Sequence, residues 1–574
     1  MSTEPRVPSA RSATAVDAIA EDWVTTLIDL SPDIATWIGV DGRLGEYGDY
    51  SPDGHERFRD EAARAYRELS AAHAVDAVDE VTRTDLLAEL QLIGESHDAG
   101  LHLRDLNVIQ SPVQEIREMF DLMPTSTESD WAIISEKLAN VPQAMAGYIE
   151  TLRAGMVSGI VPARRQVVEV AAQARRHADP HGFFSSFAGS ARRDDGAEIP
   201  ASLDEELRSG ARVATRAYAR LVDFLETELA PVASEQDGVG RDIYSLQSRH
   251  FLGATIDLDE TYEWGLDELQ RMVSEQERVA SEILPGGTVE ETSAYLDADP
   301  SRILHGTAAL QRWMQKLSDT AVSELGREHF DIPEPLRQLE CLIAPTQDGG
   351  IYYTSPSDDF SRPGRMWWSV PEGQTEFSTW RETTTVYHEG VPGHHLQLGQ
   401  AVFNREQLNT WRRMLAGTSG HAEGWALYAE RLMHELGYLD DPADRFGMLD
   451  GQRMRAARVV LDIGVHLGKP NLAGTGPWTA HDALEFMRAN VSMNDAVIRF
   501  EVNRYLGWPG QAPSYKVGQR IWEQIRDAAR ASEGAAFSMK RFHQRALDLG
   551  GVGLDTLKVS LTEPSAAQGS ALMS

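Results

Sequence analysis

Apolar residues recur with the spacing of amphipathic helices along most of the first 325 residues. In residues 15–30, Val16, Ile19, Ala20 and Val24 fall along one stripe, and charged residues occupy the other face. The same spacing recurs in residues 81–103, 131–153, 163–176, 203–229, 259–283 and 304–325. This pattern predicts a mainly α protein.

The pattern changes after Pro333. Residues 349–354 and 366–370 are rich in aromatic and β-branched side chains, and the segment between them contains Pro and Gly. Such runs are typical of short strands joined by a loop. Helical spacing returns at residue 378 and continues to about residue 549. The sequence therefore predicts a large helical body with one small β element.

A polar, glycine-containing break at residues 233–242 is the best candidate for a boundary. We expect an N-terminal helical region at residues 1–242 and a second region, with the chemistry described below, at residues 243–563. A Ser-, Ala- and Gly-rich stretch at residues 564–574 is expected to be a frayed tail.

Charge and cysteine content narrow the possible functions. The 54 Lys and Arg against 88 Asp and Glu give a net charge of −34, which disfavours binding to nucleic acid or to an anionic membrane surface. The single cysteine, Cys341, excludes an intrachain disulfide, so any metal site must use His and carboxylate ligands. The sequence has no apolar leader and no run of about 18 apolar residues, so we expect a cytoplasmic protein.

The most informative segment is residues 383–397, TTTVYHEGVPGHHLQ. A His-Glu pair occurs three times in the chain, but only His388-Glu389 is followed within seven residues by another His. In a zincin helix, two His at positions i and i+4 share a face and bind one metal ion, and the Glu after the first His activates water. Here Pro392 stands at i+4, and His394 and His395 stand at i+6 and i+7. A straight helix would bring neither of them to an ion bound by His388.

Two local structures are compatible with this spacing. Pro392 cannot donate a hydrogen bond to the carbonyl of His388, and Gly393 tolerates unusual backbone angles. A two-residue bulge in a continuous helix would bring His394 to the usual i+4 place and point His395 elsewhere. Alternatively, the helix ends at Val391, and both His residues begin the next element.

A second segment, residues 420–430 (GHAEGWALYAE), has the pattern of a buried helix. Glu423, Leu427 and Glu430 share one face of it. Because a buried carboxylate is costly unless it is paired or bound to metal, Glu423 suits a third metal ligand. The alternative is an ion pair between Glu423 and an arginine such as Arg412, Arg413, Arg453 or Arg455.

The motifs HEGVPGHHLQ and GHAEGWALY, with residues 32–39, 458–466 and 508–518, resemble the bacterial domain-of-unknown-function family numbered 885. That family resembles the gluzincin metallopeptidases and, in fold, the Taq-type carboxypeptidases, which are helical bodies around a deep cleft. The resemblance implies a zincin-like catalytic region in which His388, His394 and Glu423 bind one zinc ion per chain. It also implies that Glu389 is the general base.

The resemblance further implies hydrolysis of a peptide or small amide substrate, by a carboxypeptidase or an oligopeptidase. Tyr515 and His466 are candidate donors to the oxyanion, and Tyr515 is expected on a loop after Trp508. Residues 366–370 are placed like the edge strand on which gluzincins hold the substrate backbone.

Three arginines, Arg362, Arg365 and Arg381, are candidates to bind a terminal carboxylate of the substrate. Two other functions remain open: a zinc hydrolase of non-peptide amides, and a non-catalytic helical binding protein on a peptidase-like scaffold. The oligomeric state is not predicted by the sequence.

Overall fold

The computed structural model of the protein describes residues 11–346 and 350–562; the predicted tail at residues 564–574 lies outside this part. Within it, the chain is mainly helical, as predicted. The helices are α1 (Ala15–Leu30), α2 (Asp33–Ile38), α3 (Pro52–Ala71), α4 (Ala77–Asp98), α5 (Pro112–Leu122), α6 (Glu128–Ser158), α7 (Arg164–His177), α8 (Phe183–Gly189), α9 (Ala201–Phe224), α10 (Arg241–Leu252), α11 (Leu258–Ile283), α12 (Val289–Asp297), α13 (Thr307–Glu328), α14 (Thr379–Glu389), α15 (His394–Phe403), α16 (Ser419–Glu435), α17 (Pro442–His466), α18 (Ala480–Asn490), α19 (Asp495–Gly507), α20 (Gln511–Glu533), α21 (Met539–Asp548) and α22 (Leu554–Thr562).

Two small sheets interrupt the helices. The strands are β1 (Ile303–His305), β2 (Leu339–Ile343), β3 (Ile351–Thr354), β4 (Gly364–Trp368) and β5 (Glu376–Ser378). The three-stranded sheet has the order β2-β4-β3, in which β4 is parallel to β2 and antiparallel to β3. Strands β1 and β5 form a separate antiparallel pair. The small β element predicted before the His-Glu motif is therefore confirmed as β3 and β4.

The expectation that residues 366–370 form an edge strand is wrong. Strand β4 is the central strand of its sheet and is paired on both sides, by β2 and by β3. Its backbone donors and acceptors are used within the sheet, so a substrate strand cannot be added to it.

The apolar side chains form several clusters along the chain. The largest runs from Tyr244 to Leu561 and contains the fully buried Trp380, Trp425 and Trp522. A second cluster spans Leu106 to Ala233. The change between them falls in the polar break at residues 233–242. A third cluster, from α1, α3 and α4, also includes Trp411. The division into regions at residues 242 and 243 stays a prediction.

Helices α16 and α20 cross with their backbones in contact, because glycines occupy the crossing point. A Cβ atom on Gly518 would lie 2.3 Å from the carbonyl oxygen of Gly420, and one on Gly424 would lie 2.7 Å from the Cα of Gly518. Both distances are far below van der Waals contact. The close crossing fixes the part of α16 that carries Glu423 against the part of α20 that carries Tyr515.

We expect the substitution Gly518→Ala to destabilise the protein by about 1–3 kcal/mol, because the added methyl group overpacks a backbone contact that cannot move aside. Thermal unfolding followed by circular dichroism measures the effect as a lower melting temperature. Gly94→Ala is the matched control, because a Cβ at this position in α4 meets nothing within 4 Å. Unchanged melting of the Gly518 variant would contradict the proposed tight crossing.

Candidate metal centre

The His-Glu motif lies at a break between two helices. Helix α14 ends at Glu389, and α15 begins at His394. Of the two structures compatible with the spacing, the two-residue bulge within one continuous helix is therefore wrong. The alternative, in which the helix ends before the two His residues, describes the backbone better. The physical reason is that Pro392 has no N–H to continue the helical hydrogen bonds.

The four residues of the break, 390–393, form a compact turn. The Gly393 N–H donates to the carbonyl of Tyr387 at 3.1 Å, and the His395 N–H donates to the carbonyl of Gly390 at 3.1 Å. A Cβ at position 393 would lie only 1.9 Å from the carbonyl oxygen of His388, so only glycine fits there. The turn brings the start of α15 back against the end of α14.

Three predicted ligands, His388, His394 and Glu423, meet at this turn. One ligand atom from each lies within 4.8 Å of the others. Nε2 of His388 is 3.2 Å from Oε2 of Glu423, and Nε2 of His394 is 3.6 Å from the same oxygen. The two imidazole rings are perpendicular, with centroids 4.9 Å apart. Two imidazole nitrogens and one carboxylate oxygen are a donor set that Zn²⁺ takes in catalytic sites.

His395 points away from the cluster. Its Nδ1 lies 3.0 Å from the hydroxyl of Tyr353, and its Nε2 donates to the carbonyl of Leu336 at 2.8 Å. Both ring nitrogens are therefore used in packing α15 against the rest of the fold. The structure thus places His394, and not His395, beside His388.

Helix α16 carries Glu423 and is tied directly to the turn. The indole N–H of Trp425 donates to the carbonyl of Pro392 at 2.8 Å. Glu423 has His388 and His394 as its charged partners, so the alternative of an ion pair with an arginine is wrong within the described residues. The predicted buried helix face is confirmed, since Leu427 is fully buried.

Glu430, two turns along α16 from Glu423, orients His388. The Nδ1–H of His388 donates to Oε1 of Glu430 at 2.8 Å, which leaves Nε2 to face Glu423. The other oxygen of Glu430 accepts from Nε2 of Gln452 on α17 at 3.3 Å. Such carboxylate–histidine pairs fix the tautomer and the orientation of metal-binding His residues.

The ionisable side chains of the cluster shift the pKa values of one another. Burial opposes protonation of His388, but hydrogen bonds to Glu423 and Glu430 raise its pKa to about 10. Burial also opposes charge on Glu423, yet the adjacent His394 and His388 bring its pKa well below the ordinary value. The carboxylates of Glu423 and Glu430 thus stay ionised around a protonated His388, and a divalent cation among the same atoms would supply more positive charge than that one proton.

Glu389, the predicted general base, is the last residue of α14 and is buried beside the cluster. Burial raises its pKa, and the charges of His394 and His388 act in the opposite direction. No described residue forms a hydrogen bond or ion pair with its carboxylate. The carboxylate is therefore available to a bound molecule.

Tyr515 lies near the cluster but on a helix, so its expected place on a loop is wrong. Gly510, with a φ of 82°, precedes the first residue of α20, Gln511. Burial and the charge of Glu423 raise the pKa of the Tyr515 phenol, which therefore keeps its proton and can donate a hydrogen bond. Asp462 fixes the start of this helix by accepting from the Gly510 N–H at 3.0 Å.

His466, the other candidate oxyanion donor, is not brought to the cluster. It is the last residue of α17, and its Nε2–H donates to the carbonyl of Tyr505 at 3.0 Å. Its ring stacks on Tyr244 with centroids 5.7 Å apart. These contacts give His466 a packing role between α10, α17 and α19.

The three arginines expected to bind a substrate carboxylate are used elsewhere. Arg365 pairs with Glu340 at 2.7 Å, and Arg381 pairs with Asp297 at 2.9 Å. Arg362 donates to the carbonyl of Ser355 at 2.7 Å. A different arginine, Arg455 on α17, lies beside Tyr515. Its guanidinium carbon lies 5.9 Å from the centre of the Tyr515 ring.

Two cavities share lining residues, and the smaller one borders the cluster. The smaller, of about 350 Å³, is lined by Glu423, His421 and residues of the loop before α16. The larger, of about 950 Å³, lies between N-terminal helices such as α4 and the C-terminal half of the chain. Gly417 and Thr418 line both cavities. None of the three clustered ligands lines the larger one.

None of the described helices has both the length and the apolarity that a membrane crossing requires.

Two solved structures are similar to this chain over nearly its whole length. One is described as the putative lipoprotein from Colwellia psychrerythraea; it is 22% identical, with a TM-score of 0.82 and coverage of 96% of this chain and 99% of that chain. The other is described as a putative lipoprotein of unknown function from Shewanella oneidensis; it is 14% identical, with a TM-score of 0.72 and coverage of 95% and 99%. At these identities the similarity establishes the fold alone.

No curated protein shows significant similarity to the chain. A family model described as bacterial protein of unknown function (DUF885) matches residues 32–561. This match covers most of the chain, so the protein belongs to the DUF885 family.

Proposed function

We propose that this protein is a zinc-dependent hydrolase of amide bonds and acts as a metallopeptidase. The observation that carries the proposal is the convergence of His388, His394 and Glu423 within 4.8 Å, with the unpaired carboxylate of Glu389 beside them. The likeness of the motifs to the gluzincin peptidases supports the same proposal.

The donor set favours zinc and an open site. Three protein ligands are typical of catalytic zinc sites, whereas structural sites have four. When bound, zinc polarises a carbonyl group and lowers the pKa of a water molecule towards neutrality.

Glu389 is the proposed general base. Its carboxylate accepts a proton from the attacking water, and the oxygen of that water adds to the amide carbonyl carbon. When the carbon–nitrogen bond breaks, Glu389 returns the proton to the leaving amine. The protonated phenol of Tyr515 is the proposed donor to the negatively charged oxygen of the tetrahedral intermediate.

Substrate reaches the centre through the smaller cavity in this proposal, because Glu423 lines it. The adjoining larger cavity then forms the outer part of the cleft that the resemblance to carboxypeptidases implies. Peptides and small amides are the proposed ligands. The exclusion of nucleic acid and membrane partners, and the cytoplasmic location, stay predictions from the sequence.

Metal binding is tested by exchanging the two adjacent histidines separately. We expect His394→Asn to lower the zinc content from about one per chain to well below one tenth, because a ligand is lost. His395→Asn should keep the metal, since His395 contacts Tyr353 and Leu336 instead. Elemental mass spectrometry of protein reconstituted with zinc measures both. Equal zinc content in the two variants would contradict the assigned ligand set.

The general-base role is tested by Glu389→Gln, which keeps the size of the side chain and removes its basicity. We expect a normal zinc content and a fall in kcat of roughly 100- to 10,000-fold on a peptide library. Glu435→Gln is the matched control, because it changes the exposed Glu of another His-Glu pair. Full activity of the zinc-loaded Glu389 variant would exclude the role.

The same experiments separate the two other functions. Zinc-dependent cleavage of simple amides without cleavage of peptides would favour a non-peptide amide hydrolase. Failure to bind zinc after reconstitution would favour a binding protein on this scaffold.

A further inference from the structure

Helix α17 presents three polar residues, at a spacing of three, towards the elements of the candidate centre. Gln452 donates to Glu430, which in turn accepts from His388. Arg455 follows one turn later, and its guanidinium carbon is 5.9 Å from the centre of the Tyr515 ring. Arg458 comes next, 5.4 Å from the same ring. The three residues thus extend from the ligand His388 to the phenol ring proposed to act on the substrate.

The charge of Arg455 acts on the proposed catalytic groups. Against the effect of burial, it contributes to lowering the pKa of Glu389 and of Tyr515. The charge of Arg455 also contributes to lowering the pKa of Glu430.

Arg455 differs from Arg458 and Arg504 because it has no anionic partner among the described residues. Arg458 pairs with Glu501 at 2.8 Å, and Arg504 pairs with the same carboxylate at 3.2 Å. The hydrogen bond that Arg455 makes is to the carbonyl of Gly451, at 3.3 Å. Its Nε is buried without a partner, and no described carboxylate forms an ion pair with it.

The unpaired guanidinium of Arg455 is half-buried in a chain rich in carboxylates. The chain has 88 acidic residues against 54 basic ones, so carboxylates are abundant. A partly buried cation without a partner is costly, and the cost falls when a ligand supplies the anion. The planar guanidinium matches a carboxylate in a two-point hydrogen-bonded pair.

We propose that Arg455 binds a free carboxylate of the substrate beside the bond that is cleaved. The substrate class is then peptides or N-acyl amino acids in which the reacting amide adjoins the terminal carboxylate, and the cleavage is that of a carboxypeptidase. This inference rests on the proposed zinc-dependent hydrolysis. In this arrangement, Tyr515 donates a hydrogen bond to the oxyanion, and Arg455 binds the terminal carboxylate.

The experiment uses zinc-loaded full-length protein and pairs of N-benzoyl dipeptides that differ only at the C-terminus. One member of each pair is the free acid, and the other is the C-terminal amide. We expect the wild-type protein to show a kcat/KM roughly 100-fold higher for the acid, a size typical of a buried charge pair. The amino acid released from the acid should be the C-terminal one.

The variant Arg455→Gln should lose this preference. We expect its kcat/KM for the acids to fall roughly 100-fold, with little change for the amides and an unchanged zinc content. Arg455→Lys keeps the charge without the two-point geometry and should retain an intermediate preference. Arg312→Gln is the control, because Arg312 is exposed and has no described ion-pair partner.

Three results would overturn the assignment. Equal rates on acids and amides in the wild-type protein would do so without any variant, even if the Arg455 variants failed to fold. An equal fall in kcat/KM for acids and amides in Arg455→Gln would show that Arg455 acts on a part of the transition state common to both substrates, and not on the terminal carboxylate. If no pair is hydrolysed in a zinc-dependent way, the proposed function is overturned, and this inference with it. If zinc-dependent cleavage occurs without a preference for acids, the inference alone is overturned.

Discussion

The candidate centre depends on the turn at residues 390–393. Two His residues six positions apart cannot face one ion from a straight helix, because the second lies on another side of the helix. The turn solves this by ending α14, leaving no room for a side chain at position 393, and starting α15 against the end of α14. The hydrogen bond from Trp425 to the carbonyl of Pro392 then places α16, and with it Glu423, across the turn.

Around this turn, the fold compensates the cost of burying charge. His388 lies between two carboxylates, Glu423 and Glu430, and Gln452 satisfies the outer one. Each of these side chains comes from a different helix or a different turn of one helix, so the arrangement requires α14, α16 and α17 to pack in one way. The glycine contact between α16 and α20 adds Tyr515 to the same arrangement. The result is a cluster with two proposed catalytic groups on its borders, Glu389 and Tyr515.

Patterns along the sequence predicted the features of the fold and the site that depend on residues close together in the chain. Helical periodicity gave the mainly α fold, and runs of aromatic and β-branched residues gave β3 and β4. The expense of a buried carboxylate singled out Glu423 before its partners were known. The choice between His394 and His395 could not be made, because it depends on the backbone path of one tight turn.

Other features depend on contacts between distant segments. The central place of β4 follows from its parallel pairing with β2, which spacing along the chain does not reveal. Tyr515 seemed to lie on a loop, because it closely follows Trp508, Pro509 and Gly510; yet α20 begins at Gln511, and Pro513 falls in its first turn, where proline is tolerated. Arg455 was one of four arginines considered as partners of Glu423, and only the tertiary structure shows that its guanidinium lies beside the Tyr515 ring without an ion pair to a described carboxylate.

The most direct test of the central claim is anomalous diffraction at the zinc absorption edge from crystals of the zinc-loaded protein. The account predicts one strong peak per chain at about 2.0–2.2 Å from Nε2 of His388, Nε2 of His394 and a carboxylate oxygen of Glu423, with a fourth position open to solvent. A peak at another position, or no peak at these three residues at saturating zinc, would contradict it.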